Sequence, residues 1–412
     1  VSTAILLDRV PNKADSAGSP DEMIGIVRQV FSEHFDAYRR AHNLCWRERW
    51  AAFNIRTCRT AAQGAHVHEC PEGHYKVIRY NSCRHRSCPL CGAEETEEWI
   101  QAQQARALPC RYHQIVFTIA EELHNLWRYN RRHFTNLFFR AAWECLRDFF
   151  AHPKWLGGLP GAIAAFQSWG ETLNLHPHLH FLVTAGALSP QGVWLAPKSD
   201  FLFPAAALRA KFQGKFLDYL RRDLRAGVLI PPHGRSLQQC LNELNRLGRR
   251  KFNVRIQPAY QHPKGLIKYL AFYFRRGPIS ERRIHSYDGN QLFIRYKRPD
   301  EHTRRSFPIT AHEFISRILT HVPPKGLRVV RAYGLFHHRC RPRLEQARLQ
   351  LGALPSAPGE VYPPGREAPP PSQGQQAFES VPDYQRCPLC GQPMVCTIIL
   401  HPGPSPPERI AA

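Results

Sequence analysis

The chain has 412 residues, 43% of them hydrophobic and 22% charged, enough for two or three domains with a sizeable core. Lys and Arg outnumber Asp and Glu by 56 to 33, a formal charge of +23 that points to a polyanionic partner, above all nucleic acid. Mean hydropathy is −0.42, no run approaches the roughly 18 apolar residues of a membrane helix, and the first apolar run, Ala4 to Leu7, is too short for a signal-peptide core, so a cytoplasmic protein is expected.

Residues 1–19 are polar and read as a loose tail. Ser19-Pro20-Asp21-Glu22 is a helix start, and Ile24, Val27, Phe31, Phe35 and Tyr38 recur every three or four residues, which predicts an amphipathic helix over about 21–42. A cysteine cluster occupies 58–91, followed by an acidic helix start at Glu94-Glu95. The 13 cysteines are odd in number and mostly grouped, which fits zinc in a reducing compartment better than disulfides. The cluster reads Cys70-Pro-Glu-Gly-His74, then Cys83-Arg-His-Arg-Ser-Cys88-Pro-Leu-Cys91-Gly92. The C-x2-C turn of Cys88 and Cys91 aims two thiolates at one ion, and Cys70 with His74 offers a second pair for a tetrahedral N/S site. Cys58 and Cys83 exceed the needs of one ion: they replace His74, serve a second metal, or are buried thiols. Arg84 and Arg86, lying between ligands, are candidates for phosphate contact or ordinary solvated arginines.

From Arg111 the pattern changes. His113–Ile119 has strand composition, 121–150 is a long helical stretch with aromatic periodicity, and Gly157 to Gly161 breaks it. Ala162–Trp169 and Leu175–Thr184 read as strands, 204–226 and 236–248 as helices, Phe252–Gln257 as a strand and about 263–275 as a helix. Arg283–Tyr287 and Leu292–Lys297 flank Asp288-Gly289, a hairpin-turn dipeptide, and Thr310–Leu319 is a capped helix. No repeat of solenoid period is present. Residues 353–386 are rich in Pro, Gly, Ser and Gln and read as a linker. Beyond it, Cys387-Pro-Leu-Cys390-Gly391 repeats the knuckle, with Cys396 and His401 as candidate partners in a second zinc site; the alternative is a tail with free thiols.

Two constellations carry chemistry. In Leu175-His-Pro-His-Leu-His-Phe-Leu-Val183, strand alternation puts His176, His178 and His180 on one face. Three imidazoles together are costly to bury without a metal or acceptors, so metal ligation is expected. Tyr269 and Tyr273 are four apart and share a helix face at about 5–6 Å. Alone, such an aromatic helix would be core. The flanking Lys268, Arg275 and Arg276 are what a tyrosine attacking a phosphodiester needs nearby.

The order of these features, SCRHRSCPLC, Val116-Phe117-Thr118, Trp169-Gly170, HPHLH and then Tyr-x3-Tyr followed by Arg-Arg, resembles the two-tyrosine HUH transposases of the insertion-sequence-ninety-one family over about 50–340. The His-hydrophobic-His signature is His178-Leu179-His180. The resemblance implies an α+β fold: an HUH nuclease core with a central antiparallel sheet flanked by helices, plus an N-terminal helical and zinc-binding domain. It divides the chain into a tail (1–19), a zinc-binding DNA-binding domain (20–106), a catalytic domain (107–340), a linker (341–386) and a short Cys-containing tail (387–412). By resemblance Tyr269 and Tyr273 are nucleophiles, and His178 and His180 bind a catalytic divalent ion, Mg2+ or Mn2+. His176, Gln167 and Glu171 are candidates for the remaining ligand position, and zinc is structural. The implied substrate is single-stranded or hairpin DNA at transposon ends, cut and rejoined through 5′-phosphotyrosine in a bacterial, nucleoid-associated reaction. The chain departs from the family at Cys70, where Cys-x3-His stands in place of Cys-x2-Cys. A non-catalytic zinc-dependent DNA-binding protein would explain charge and cysteines but not the histidine strand and tyrosine pair, and a metallohydrolase using HPHLH leaves the charge unexplained.

Overall fold

The computed structural model describes residues 25–91, 93–197, 202–260, 271, 277–297, 303–352 and 386–402, without the side chains of 93–95 and 98. In chain order the elements begin with α1 (Ile26–Ala41), α2 (Trp46–Thr57), β1 (Ala65–Glu69), β2 (Lys76–Tyr80), α3 (Ala93–Arg106), β3 (Tyr112–Thr118), α4 (His124–Tyr129) and α5 (Arg131–Ala151). There follow β4 (Gly161–Trp169), β5 (Leu175–Thr184), a small hairpin of β6 (Ala187–Leu188) and β7 (Trp194–Leu195), α6 (Ala205–Arg225), α7 (Leu237–Leu247) and β8 (Asn253–Ile256). The last are β9 (Ile284–Tyr287), β10 (Gln291–Lys297), β11 (Arg304–Thr310), α8 (Ala311–Thr320), β12 (Val330–Gly334), α9 (Arg341–Gln350) and β13 (Val395–Leu400). The architecture is mixed α+β with antiparallel sheets.

The histidine strand β5 lies at the middle of a five-stranded sheet of order β12-β4-β5-β3-β8, with every neighbouring pair antiparallel. Alternation divides its side chains cleanly. Leu179, Phe181 and Val183 of β5, Ile115 and Phe117 of β3, and Ala162, Ala164 and Phe166 of β4 face one core. That core is filled by α5 and α6 through Phe134, Phe138, Phe212 and Phe216. The other face carries His178 and His180, and further along Leu182, Ile163, Ala165 and Tyr112 pack with Ile100 of α3 and with Phe336 and Leu344. Pro177 lacks a ladder donor, and it falls where the β4–β5 register shifts, between Gln167↔His178 and Trp169↔Leu175.

A second core joins Val27, Phe31 and Phe35 of α1 and Ile55 of α2 to Leu292 and Ile294 of β10 and Phe314, Ile315 and Ile318 of α8. The N-terminal helices are thus packed against residues well inside the segment expected to be catalytic. The C-terminal strand β13 pairs antiparallel with β1, from Ala65↔Leu400 to Glu69↔Val395, and completes a sheet of order β13-β1-β2.

The helix expected over 121–150 is broken. Asn130 leaves helical geometry at φ −125°, ψ 30°, because its side chain clamps another segment: Nδ2 donates to Ile230 O at 2.8 Å and Oδ1 accepts from Ile230 N at 2.8 Å. The expected helix at 263–275 falls outside the described residues apart from Ala271, as do most of the expected linker and the 1–19 tail. Among the described residues no helix is long and apolar enough to cross a membrane.

Candidate active site and metal centres

On β5 the two signature imidazoles face each other. His178 Nε2 lies 2.9 Å from His180 Nε2, and the residues are only 8% and 9% exposed. Burial, then the neighbouring His180, holds His178 well below the usual histidine range, and burial takes His180 down to about 4. Both rings are therefore neutral at pH 7, the state a metal ligand requires. Metal–ligand distances of about 2.1 Å in an octahedral ion put adjacent ligand atoms about 3 Å apart, so the observed spacing suits two neighbouring coordination positions.

The outer nitrogens are held as well. His178 Nδ1 donates to the carbonyl of His176 at 2.6 Å, which leaves the Nε2 lone pair pointing inward. His180 Nδ1 lies 2.9 Å from the side-chain amide of Gln114 on β3. Ligation through His180 Nε2 puts the proton on Nδ1, and the Gln114 amide accepts it when turned to present its oxygen.

The three candidates for a further ligand are differently placed. Gln167 stands directly opposite His178 on β4 and is 3% exposed. His176 is half-buried with its ring centroid 5.1 Å from that of His178. Glu171 is exposed, and its carboxylate is 3.8 Å from Arg283. Among the described residues neither His176 nor Glu171 closes a compact ligand group with the histidine pair. Tyr269, Tyr273, Lys268, Arg275 and Arg276 lie outside the described residues. Ala271, midway between the tyrosines, is fully buried in the cluster that holds Leu182 and Ala165, on the histidine face of the sheet.

Seven of the 13 cysteines, with His74, form two compact groups among the described residues. Cys58, at the C-terminal end of α2, joins Cys83, Cys88 and Cys91, and Cys70 and His74 join Cys387 and Cys390; within each group the ligand atoms all lie within 4.8 Å of one another. The sequence set Cys70 and His74 beside Cys88 and Cys91; the structure gives those two places to Cys58 and Cys83. Local spacing is misleading here because α2 and the β1–β2 pair return distant residues to the knuckle. Cys396 and His401, expected with Cys387 and Cys390, stand elsewhere: Cys396 Sγ lies 3.6 Å from His66 Nδ1, and His401 is exposed. In the first group the Cys83 and Cys91 sulfurs are 3.5 Å apart. Hydrogen bonds from Cys83, then Cys88 and Cys91, hold the Cys58 thiol far below its ordinary range, while the bonds to Cys58 push Cys83 and Cys88 above it. Four sulfurs so close share one negative charge readily and four only around a cation.

This first group lies against the segment expected to be catalytic. A Cβ on Gly277, the residue after Arg276, would sit 2.9 Å from Arg86 O and 3.1 Å from Ser87 Cα, so the chain passes flush against the loop between the cysteines. Cys88 shares a core with Leu173 and Ile279.

Two family models match the chain: one described as "Transposase zinc-binding domain" over residues 30–119, and one described as "Putative transposase" over 161–343. A protein of Sinorhizobium fredii named "Putative transposase y4qJ" is 32% identical over 396 residues, spanning 93% of this chain and 97% of its own length. The chain belongs to the insertion-sequence-ninety-one family of transposases. The transposase for insertion sequence element IS801 of Pseudomonas savastanoi is 29% identical over 340 residues, 80% of this chain and 77% of its own. No solved structure matches the present chain.

In this transposase Arg84 is exposed, with φ 50° in the left-handed region. Arg86 is half-buried and lines a small cavity with Trp127, Phe166, Trp169 and His321. Three residues around the histidine strand were not singled out from sequence. Gln114 has no local signature, because its partner His180 is fixed only by the β3–β5 register. Arg255 of β8 stands opposite Val116, itself opposite His180, so an exposed cation lies on the same face two strands away. His124, at the start of α4, has a buried Nε2 with no hydrogen-bond partner; burial lowers its pKa, and the proximity of His176 adds to this.

Proposed function

We propose that this transposase cuts and rejoins single-stranded DNA at the ends of its element in a rolling-circle-like reaction, through 5′-phosphotyrosine intermediates on an HUH core. The observation that carries this reading is the pair of buried imidazoles, Nε2 to Nε2 at 2.9 Å, on the central strand of an antiparallel sheet. His178 and His180 would hold a divalent ion, with Gln167 the best placed of the candidates for a third position. Mg2+ or Mn2+ there supplies a Lewis acid for the scissile phosphate and for the charge developing on the departing oxygen.

Tyr269 and Tyr273 are the nucleophiles in this reading. A tyrosine hydroxyl, ordinarily ionising near pH 10, gives up its proton as its oxygen attacks phosphorus. The bond from phosphorus to the 3′-oxygen breaks, and that oxygen leaves as a hydroxyl after taking a proton. One phosphodiester is exchanged for another, so a later 3′-hydroxyl reverses the step on a new strand without ATP. Two tyrosines allow two such transfers in succession. Arg255 and the basic residues around Tyr269 and Tyr273 would neutralise backbone phosphates, and a structural zinc at Cys58, Cys83, Cys88 and Cys91 would fix the loop against which Gly277 packs.

The test is incubation with labelled single-stranded oligonucleotides carrying element ends, with Mn2+, read on a denaturing gel. The wild type should give a covalent adduct. Tyr269→Phe with Tyr273→Phe should give none while folding normally, and His178→Ala should abolish cutting with DNA binding largely kept. A double Phe variant that still attaches to DNA would overturn the assignment.

A further inference from the structure

We infer that the C-terminal module is held onto the N-terminal domain by a second zinc ion bound by Cys70, His74, Cys387 and Cys390, two ligands from each end of the chain. Cys70 Sγ lies 3.5 Å from Cys390 Sγ and 3.8 Å from His74 Nδ1. Tetrahedral zinc with sulfur at about 2.3 Å and nitrogen at about 2.0–2.1 Å spaces its ligand atoms at about 3.6–3.8 Å, close to the two distances from Cys70, and all four ligand atoms lie within 4.8 Å of one another. A cysteine pair alone would suggest a disulfide; three sulfurs and an imidazole around one point do not.

The backbones that present the ligands are built alike. In the first turn Cys70 N donates to Tyr75 O at 2.8 Å and Gly73 N to Cys70 O at 2.9 Å; in the second Cys387 N donates to Gln392 O at 2.7 Å and Gly391 N to Cys387 O at 2.8 Å. Gly73 and Gly391 sit at φ 72° and 73°, where a side chain would be strained. Each turn tightens around its cysteine, and the two face each other across the ligand group.

The energetics require something beyond packing. The apolar cluster at the junction has just Cys70, Cys387 and Met394 buried, with Tyr75 and Val77 beside it. Every residue of β13 is exposed, Val395, Ile398, Ile399 and Leu400 between 44% and 59%. A module this small has no core to hold it, and metal is the usual substitute. The β1–β13 ladder gives direction and register, and the metal site gives strength.

Metal content of the purified full chain tests this without reference to DNA chemistry. The expected result is two zinc ions per chain for the wild type and one for Cys387→Ser with Cys390→Ser and for His74→Ala. His74→Cys should restore two, since thiolate can replace imidazole. One zinc in the wild type, or two in the double Ser variant, would overturn the inference. A second measurement covers a variant that folds poorly: a specific protease site placed within 363–371 is cut, and the products are separated by gel filtration. The wild-type tail should stay with the body and the double Ser tail should elute apart. Separation of the wild-type tail, or retention of the double Ser tail, would each refute the clamp.

Discussion

Gln114 offers a perturbation that separates orienting a ligand from merely filling space. Its amide reaches His180 Nδ1 at 2.9 Å, and the residue is 7% exposed. Leucine nearly matches its shape, so Gln114→Leu removes the hydrogen bond and little else. Losing the outer partner of a metal-bound histidine typically costs 10–100-fold in metal affinity, about 1.4–2.7 kcal/mol. The fold loses a partner for a buried nitrogen, about 1–3 kcal/mol, partly offset by the apolar side chain. The assay is adduct formation with a single-stranded end oligonucleotide as a function of Mn2+. The half-saturating Mn2+ should rise about 10–100-fold, and the plateau should recover at high metal. An unchanged midpoint with a lowered plateau would mean that Gln114 supports only the fold, and an unchanged curve would refute the orienting role altogether.

Cys58→Ser should remove one zinc per chain and loosen the core that Cys58 and Cys88 share with α1, α2 and α8; undiminished zinc by elemental analysis would reject Cys58 as a ligand. Burial holds His321 at about 4 against an ordinary value near 6.5, so its contribution is complete above pH 6.5 and is lost as pH falls toward 4, about 3 kcal/mol in all. His321→Gln should flatten the stability slope between pH 6.5 and 4 by roughly that amount in urea titrations, and an unaltered slope would dismiss it. With a formal charge of +23, binding to single-stranded DNA should weaken about 100-fold or more between 50 and 200 mM salt; a flat response in fluorescence anisotropy would contradict phosphate-dominated binding, and tighter binding to blunt duplex would contradict the single-strand preference.

The parts of the fold that were legible from sequence are those whose periodicity is set by a buried face. β5 occupies Leu175–Thr184 as its composition indicates, and α6 and α7 fall within a residue of their expected limits. The β9–β10 turn sits at Asp288-Gly289, where Asp288 Oδ1 accepts from the backbone of Asn290 and Gln291. β1, β2 and β13 carry mostly half-exposed or exposed residues, so no hydrophobic rhythm announces them. The histidine face was readable because alternation alone puts His178 beside His180. Gln114 and Arg255 were not, since strand register decides their position. The cysteine pairing was hidden for the same reason: Cys58 belongs to no local motif, and two of the three partners of Cys70, Cys387 and Cys390, lie more than 300 residues away.

The pairing of β1 with β13 also has a temporal side. β1 can pair with β2 almost as soon as both are made, but its other edge waits for roughly 320 residues until β13 is synthesised. At about 5–20 residues per second that is on the order of 15–60 s of translation with a strand edge open. During this interval His68 and Val67 lie along an unpaired ladder, the kind of edge that recruits strands from other chains. A copy of the gene interrupted in the proline-rich stretch would make a protein that keeps this edge for its lifetime, with Cys70 and His74 facing no partner. Such truncated products should be captured by proteases or aggregates, so full-length translation itself becomes a condition for a long-lived protein.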